Sequence, residues 1–421
     1  MVTVVLVTAT VVLLVVLAGL NLVSGERRIR HQVQRLYSTG EPDHLRVMNV
    51  LLGPPMSEDN HCVALVNGRR IFPAMLADID SARHSICFET FIYWSGATGR
   101  QFTDALSGRA RAGVKVHVLL DWVGTLKLDD ALVDSMRDAG VEVRRFHRPA
   151  WYSLGRMNNR THRKLLIVDG RVGFTGGVGI ADQWQGDAED KTQWRDTHFR
   201  AVGPVVAQMQ AVFIDNWIKA TGRVLHGGDY FPPLESAGSM AAQMFSSSPS
   251  GGSESMHLMY LMSLTAAKMR VDLACAYFIP DGLTLTVILD ALARGVRVRI
   301  ITPGRHIDSR VVRLASQARW ARLLAAGAEI HEYEPTMFHC KVMIIDELLV
   351  SVGSTNFDNR SFRLNDEANL NVYDKAFADE QVAIFEADLL QASRVDEVRW
   401  RARPPHRRLL ESAALFVSSQ L

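Results

Sequence analysis

Short apolar runs alternating with helix-like stretches set the rhythm of this chain. Ser85 to Tyr93 (SICFETFIY), Val114 to Leu120 and Val141 to Arg145 read as strands, being rich in small, β-branched and aromatic residues. Ile71 to Ala82, Thr103 to Ala112 and Asp130 to Ala139 suit helices, the last two ended by Gly113 and Gly140. The same order then returns. Met259 to Lys268 is a helix, Val271 to Ile279 a strand, Leu285 to Ala293 a helix, Val296 to Ile301 a strand, and Val311 to Ala326 a helix leading to Glu329–Tyr333. ARAGVKVHVLL answers to LARGVRVRIIT, and DAGVEV to AAGAEI. The chain is therefore an internal duplication. Strands alternating with helices predict an α/β fold of two repeats, each a mostly parallel sheet flanked by helices and related by a pseudo-two-fold axis.

The repeat reaches its polar residues in two matching stretches. THRKLLIVDGRVGFTGG, from Thr161, carries His162, Lys164, Asp169, Gly176 and Gly177. FHCKVMIIDELLVSVGS, from Phe338, carries His339, Lys341, Asp346, Gly353 and Ser354. Leu165–Val168 and Val342–Ile345 read as buried strands, and a His and a Lys two apart on a strand point the same way. Asp169-Gly170 is a turn dipeptide returning the chain along Val172–Thr175. A packing accident need not repeat its polar residues, whereas a two-histidine site must. The repeated pairs are therefore read as functional.

Other stretches bound this body. Val2 to Val23 has no charged side chain and is long enough for a transmembrane helix. It lacks both the basic start and the small-residue cleavage site of a signal peptide. Arg27, Arg28, Arg30 and Arg35 follow, which predicts a single-pass inner (plasma) membrane anchor with the catalytic body cytoplasmic and drawn to anionic lipid. The expected organisation is an anchor over 1–24, a juxtamembrane linker over 25–66, and repeats over 67–226 and 253–392. A Gly/Ser/Pro-rich linker over 227–252 and a basic tail over 393–421 complete it. A hydrophobic content of 48% supports a real core, and a net charge of +2 argues against a nucleic-acid-coating protein. The four cysteines are scattered without metal-ligand spacing, so reduced thiols, no metal and no cofactor are expected.

Two histidines facing one site can serve as nucleophile and general acid, and two lysines can supply positive charge to a phosphate without metal. Ser354, Gly177 and Asn356 are expected to bring donors to that phosphate. Each imidazole needs an acceptor behind it. By their similar distance after each hairpin, Asp196 (WRDTHFR) is assigned to His162 and Glu367 (LNDEANL) to His339.

The paired H-x-K-x4-D motifs resemble the phospholipase D superfamily. NRTHRKLLIVDG, FTGG, WRDTHFRAVGP and GSTNFDNRSFRLNDEANL look like bacterial cardiolipin synthases over roughly Asn67 to Leu390. The resemblance implies an active site between two packed α/β repeats, a phosphohistidine formed on His162, and His339 as acid. It also implies mostly structural roles for Asp169 and Asp346. It departs at Asn356, where the first repeat has Gly179, and at Asp366, where such synthases often carry an aromatic residue. The implied function is phosphatidyl transfer, with phosphatidylglycerol as donor. Hydrolysis by the same site, a nuclease activity and a non-catalytic membrane scaffold are the alternatives.

Overall fold

The computed structural model describes residues 31–147, 158–249 and 254–416, with isolated positions 7, 8, 10, 12 and 29. The first repeat holds β1 (Ser57–Val66), β2 (Ser85–Thr90), β3 (Lys115–Asp121), β4 (Glu142–Phe146), β5 (Arg160–Thr161), β6 (Leu165–Val168), β7 (Val172–Gly176) and β8 (Thr197–Val202). The second holds β9 (Met240–Ser247), β10 (Arg270–Cys275), β11 (Arg297–Pro303), β12 (Glu329–Tyr333), β13 (Lys341–Ile345), β14 (Leu349–Gly353), β15 (Asn365–Tyr373) and β16 (Ala392–Arg394). Their order is β16-β12-β11-β10-β13-β14-β15-β9-β1-β8-β7-β6-β2-β3-β4. Read outward from the β1–β9 junction, the two halves match strand for strand as far as β4 and β12, as a pseudo-two-fold duplication requires, and β16 extends the second half alone.

Each half is mixed rather than mostly parallel. β2, β3 and β4 run parallel, joined by helices that return the chain. β6, β7, β8 and β1 run antiparallel, because tight hairpins and short returns reverse the chain direction. β10–β12 and β13–β15 repeat that division. Helices Asn67–Ser81, Ala97–Arg111 and Asp130–Asp138 cover the outer face of the first half. Ser255–Ala266, Gly282–Ala293 and Arg310–Ala325 cover that of the second. The inner faces share one core, in which Met209, Phe213 and Trp217 of helix Val205–Thr221 meet Ile167 of β6, and Ile344, Val352 and Phe377 of the second half.

Three expected boundaries move. The stretch taken as juxtamembrane linker contains helix Pro42–Leu51, with Met48 buried, and all of β1. The inter-repeat linker contains β9, which pairs with both β1 and β15 and so closes the sheet. Polar and small side chains hid both strands: SEDNHCVALV opens on five polar residues, and the apolar runs of MAAQMFSS are short. The basic tail is also folded. Helix Pro405–Leu415 buries Ala414, and Trp400 packs on Trp320 with ring centroids 5.0 Å apart. The expected membrane anchor falls almost wholly outside the described residues. Among those described, no helix is long and apolar enough to cross a membrane.

Candidate active site

The hairpins end where the two halves meet. Short β5 leaves its own half and pairs with β15, so that the His162 amide donates to the Asp366 carbonyl at 2.9 Å. In the other half, the His339 amide donates to the Arg195 carbonyl at 2.7 Å. Each histidine is thereby bonded to the residue just before a carboxylate of the opposite repeat.

This exchange corrects the expected pairing. His162 Nδ1 lies 3.0 Å from both carboxylate oxygens of Glu367, not beside Asp196. His339 Nδ1 lies 2.8 Å from Asp196 Oδ2, not beside Glu367. Equal distance along the sequence had suggested partners within a repeat. The two-fold arrangement swaps them, because each histidine strand crosses to the other half's edge. With Nδ1 held by a carboxylate, each imidazole turns Nε2 toward the shared space.

The lysines are buried with the histidines. Lys164 Nζ and Lys341 Nζ each donate to the carbonyl of the histidine two residues earlier, at 2.7 Å. Burial, with Lys341 opposite, pushes the Lys164 ammonium down to about 7. Burial and the neighbouring Lys341 push the His339 imidazole down to about 3, and burial lowers that of His162. Burial alone would raise Asp196 and Glu367, but the facing His339 and His162 outweigh it and hold both carboxyls below their usual range. The site thus sets two buried lysines and two buried imidazoles against the carboxylates of Asp196 and Glu367. A phosphodiester entering that balance adds one negative charge, which favours protonation of an imidazole.

These groups open into a cavity of about 270 Å³. Its lining includes the rings of Phe91, Trp184 and Trp194 and the polar groups of Arg160, Asn356 and Arg360. The Phe91 ring stands edge-on to His162 at 5.2 Å, while Trp184 and Trp194 flank His339 at 5.4 and 5.3 Å.

Of the three residues expected to cradle phosphate, only Asn356 lines the cavity. The Ser354 hydroxyl instead donates to Glu367, fixing that carboxylate behind His162. Gly177 makes room: a Cβ there would sit 2.2 Å from Asp196 Oδ1. The Trp184 indole, 3.0 Å from Asp196 Oδ2, supplies the donor that Ser354 supplies in the other half. Asp169 and Asp346, expected in the motif, stand at the far ends of their strands. Asp169 accepts the amides of Arg83, His84 and Ser85, and Asp346 those of Lys268, Met269 and Arg270. Both therefore fasten the hairpin to the start of a parallel strand. Asp366 is buried beside His147 and Lys219, apart from the cavity lining.

Sequence reasoning did not single out Trp184, Arg160 or Arg360. Arg160 stands two residues before His162 in NRTHRK, and that proximity was the available signal.

Two repeats that share one cavity of two histidines, two lysines and exchanged carboxylates define a phospholipase D-like architecture. A family profile described as cardiolipin synthase, PLD-like domain matches residues 75–217 and 260–389. The cardiolipin synthase of Geobacillus kaustophilus (strain HTA426) is 35% identical over 370 residues, 87% of this chain and 74% of that protein. Cardiolipin synthase A of Pseudomonas putida (strain W619) is 35% identical over 354 residues, 83% of this chain and 73% of that one. The chain belongs to the cardiolipin synthase family of PLD-like proteins. Phosphatidylserine synthase of Haemophilus influenzae Rd KW20 shares the fold, with a TM-score of 0.68 over 90% of this chain and 99% of that one, at 14% identity.

Proposed function

We propose that this protein is a phosphatidyltransferase that makes cardiolipin from phosphatidylglycerol. The observation that carries the chemistry is the crossed arrangement. Each imidazole has Nδ1 on a carboxylate, Nε2 toward one cavity, and a buried lysine alongside. His162 attacks the phosphorus of the donor lipid, and the P–O bond to its head-group glycerol breaks. Protonated His339 gives its proton to that leaving oxygen. The hydroxyl of a second phosphatidylglycerol then gives its proton to His339 and forms the new P–O bond as the P–N bond breaks. The products are cardiolipin and glycerol. Lys164, Lys341 and the Asn356 side chain stabilise the charge that builds on the phosphate oxygens. Glu367 and Asp196 orient the two rings and stabilise their cationic forms.

The apolar segment 2–23 anchors the chain in the plasma membrane. Arg27, Arg28, Arg30 and Arg35 keep the catalytic body at the anionic cytoplasmic leaflet, where both lipids are presented. The test of the reaction is purified protein with phosphatidylglycerol in mixed micelles, products resolved by mass spectrometry. Cardiolipin and glycerol in equal amounts are expected. Phosphatidic acid without cardiolipin would make the site a phospholipase instead.

A further inference from the structure

Helix Pro405–Leu415 is seated beside the cavity. Its Ala414 packs with Val312 and Ala315 of helix Arg310–Ala325, and Val312 itself lines the cavity. Its buried Glu411 accepts the Arg403 guanidinium at 2.7, 3.0 and 3.2 Å, and Arg403 lies over the Trp400 ring at 4.3 Å. The inner face is thus engaged. The outer face is not. Leu409, Ala413 and Phe416 stand at i, i+4 and i+7, on the side away from Glu411 and Ala414. Leu409 is 73%, Leu410 54% and Phe416 90% exposed, and Arg407 and Arg408 before them are exposed as well. Val311, in the first turn of the neighbouring helix, adds an exposed apolar side chain next to the cavity-lining Val312. Exposed apolar residues scattered singly need no explanation. Three along one face of an 11-residue helix, flanked by arginines, have the pattern of a helix that lies in a lipid–water interface.

We propose that this outer face docks on an anionic bilayer and seats the mouth of the cavity against the lipid surface. The proposal rests on the reading of the substrate as a phospholipid and adds the surface that meets the membrane holding it. The N-terminal segment tethers the body, whereas this helix orients it. A cavity of about 270 Å³ is small beside the roughly 300–1,000 Å³ of drug-sized pockets, so the acyl chains of a bound lipid stay outside it. They remain in hydrocarbon only if the mouth lies at the membrane. The charge is complementary. Glu411 is taken by Arg403 and Glu397 by Arg401, which leaves Arg407 and Arg408 without a carboxylate among the described residues and open to lipid phosphates. A protein partner fits less well, because a stable interface takes about 20–30 residues a side and this face offers a handful.

The test places a nitroxide on the outer face of the full chain. All four native cysteines are buried, so Leu409→Cys gives a single accessible thiol. In phosphatidylglycerol vesicles the label should be relaxed by oxygen, which concentrates in hydrocarbon, and shielded from an aqueous nickel chelate. In phosphatidylcholine vesicles that shielding should weaken. A label equally open to the chelate in both would overturn the proposal. Spin–spin broadening would overturn it as well, since the face would then meet a second copy. The functional arm follows glycerol release, which transfer and hydrolysis share. Leu409→Gln with Phe416→Gln should lower release from phosphatidylglycerol vesicles about tenfold, the order of one buried apolar side chain. Release from dihexanoylphosphatidylglycerol dispersed as monomers should stay at the wild-type level. An unchanged vesicle rate, or equal losses on both substrates, would overturn the docking role. Wild-type protein that releases no glycerol from either substrate would instead sink the phospholipid reading, and the label alone would then decide the docking.

Discussion

The charge balance around the imidazoles sets what each residue does. His339 is held down to about 3 by burial and Lys341, so it is unprotonated in the empty site. It can act as an acid only after taking up a proton. Binding a phosphate analogue such as vanadate should therefore take up about one proton near pH 7, measured by calorimetry in buffers of different ionisation enthalpy. Binding without proton uptake would mean that the acid is already charged at rest. Lys164, down to about 7, gives the alkaline side of the profile. Its charge is present below that value and lost as pH rises through it, so kcat/KM should fall above about pH 7. Bound phosphate raises the ammonium pKa, and the fall in kcat should lie at higher pH. Stability of the empty enzyme has the opposite sign. A lysine depressed from 10.5 costs stability while charged, and that cost disappears as pH rises from about 7 toward 10.5.

The crossed carboxylates make a sharper test at the same scale. His162→Ala removes the attacking nitrogen, so no acid-stable labelled phosphatidyl-enzyme should form. His339→Ala keeps the nucleophile and should slow turnover about 10²–10⁴-fold. Glu367→Gln should follow the His162 variant in slowing formation of the intermediate. Asp196→Asn should follow His339 by slowing departure of the alcohol. A donor whose leaving group needs no proton, such as p-nitrophenol, distinguishes the two roles, since it should rescue Asp196→Asn but not Glu367→Gln. The reverse match would restore the pairing within repeats that sequence spacing suggested.

At the scale of elements, the hairpin is held by its aspartate rather than driven by it. Asp346→Ala leaves three strand-start amides without their acceptor and should cost about 3 kcal/mol, read as a lower denaturant midpoint. Gly170 is fixed by space as well as conformation: a Cβ would meet the Tyr230 carbonyl at 2.3 Å, at a φ of +61°. The sequence showed the two histidine hairpins, the parallel β2–β4 and β10–β12 units and the helices between them, because each carries its own apolar period. β1 and β9 were not legible, since polar residues open β1, small ones fill β9, and the burial of both comes from neighbouring strands. The exchanged partners were not legible either. β5 has only two residues, and no local pattern says that it pairs with a strand some 200 positions away.

Taken whole, the two halves share one continuous sheet and one inner core. Ile29, Val33 and Tyr37 pack on the second repeat's core, so a soluble form should begin no later than residue 29. Removing residues 1–28 should leave activity on detergent-dispersed lipid and lose much of the rate on intact vesicles, where surface concentration limits. A reporter fused at Leu421 of the full chain should behave as cytoplasmic. A vesicle rate untouched by the truncation would show that the body finds the bilayer by another surface.

The exchange of carboxylates also bears on ancestry. A single repeat would carry a histidine and a lysine, but the acid in its own strand would face away toward a twin. Such a half could have worked only as one member of a pair, each lending its acid to the other. Tandem fusion then frees the halves to diverge, as they have where Ser354 stands opposite Gly177 and Asn356 opposite Gly179. Co-expressed as two fragments cut in the loop between β8's following helix and β9, the halves should reassemble by the β1–β9 and β5–β15 pairings. Neither fragment alone should bind a phosphate, whereas the mixture should recover activity.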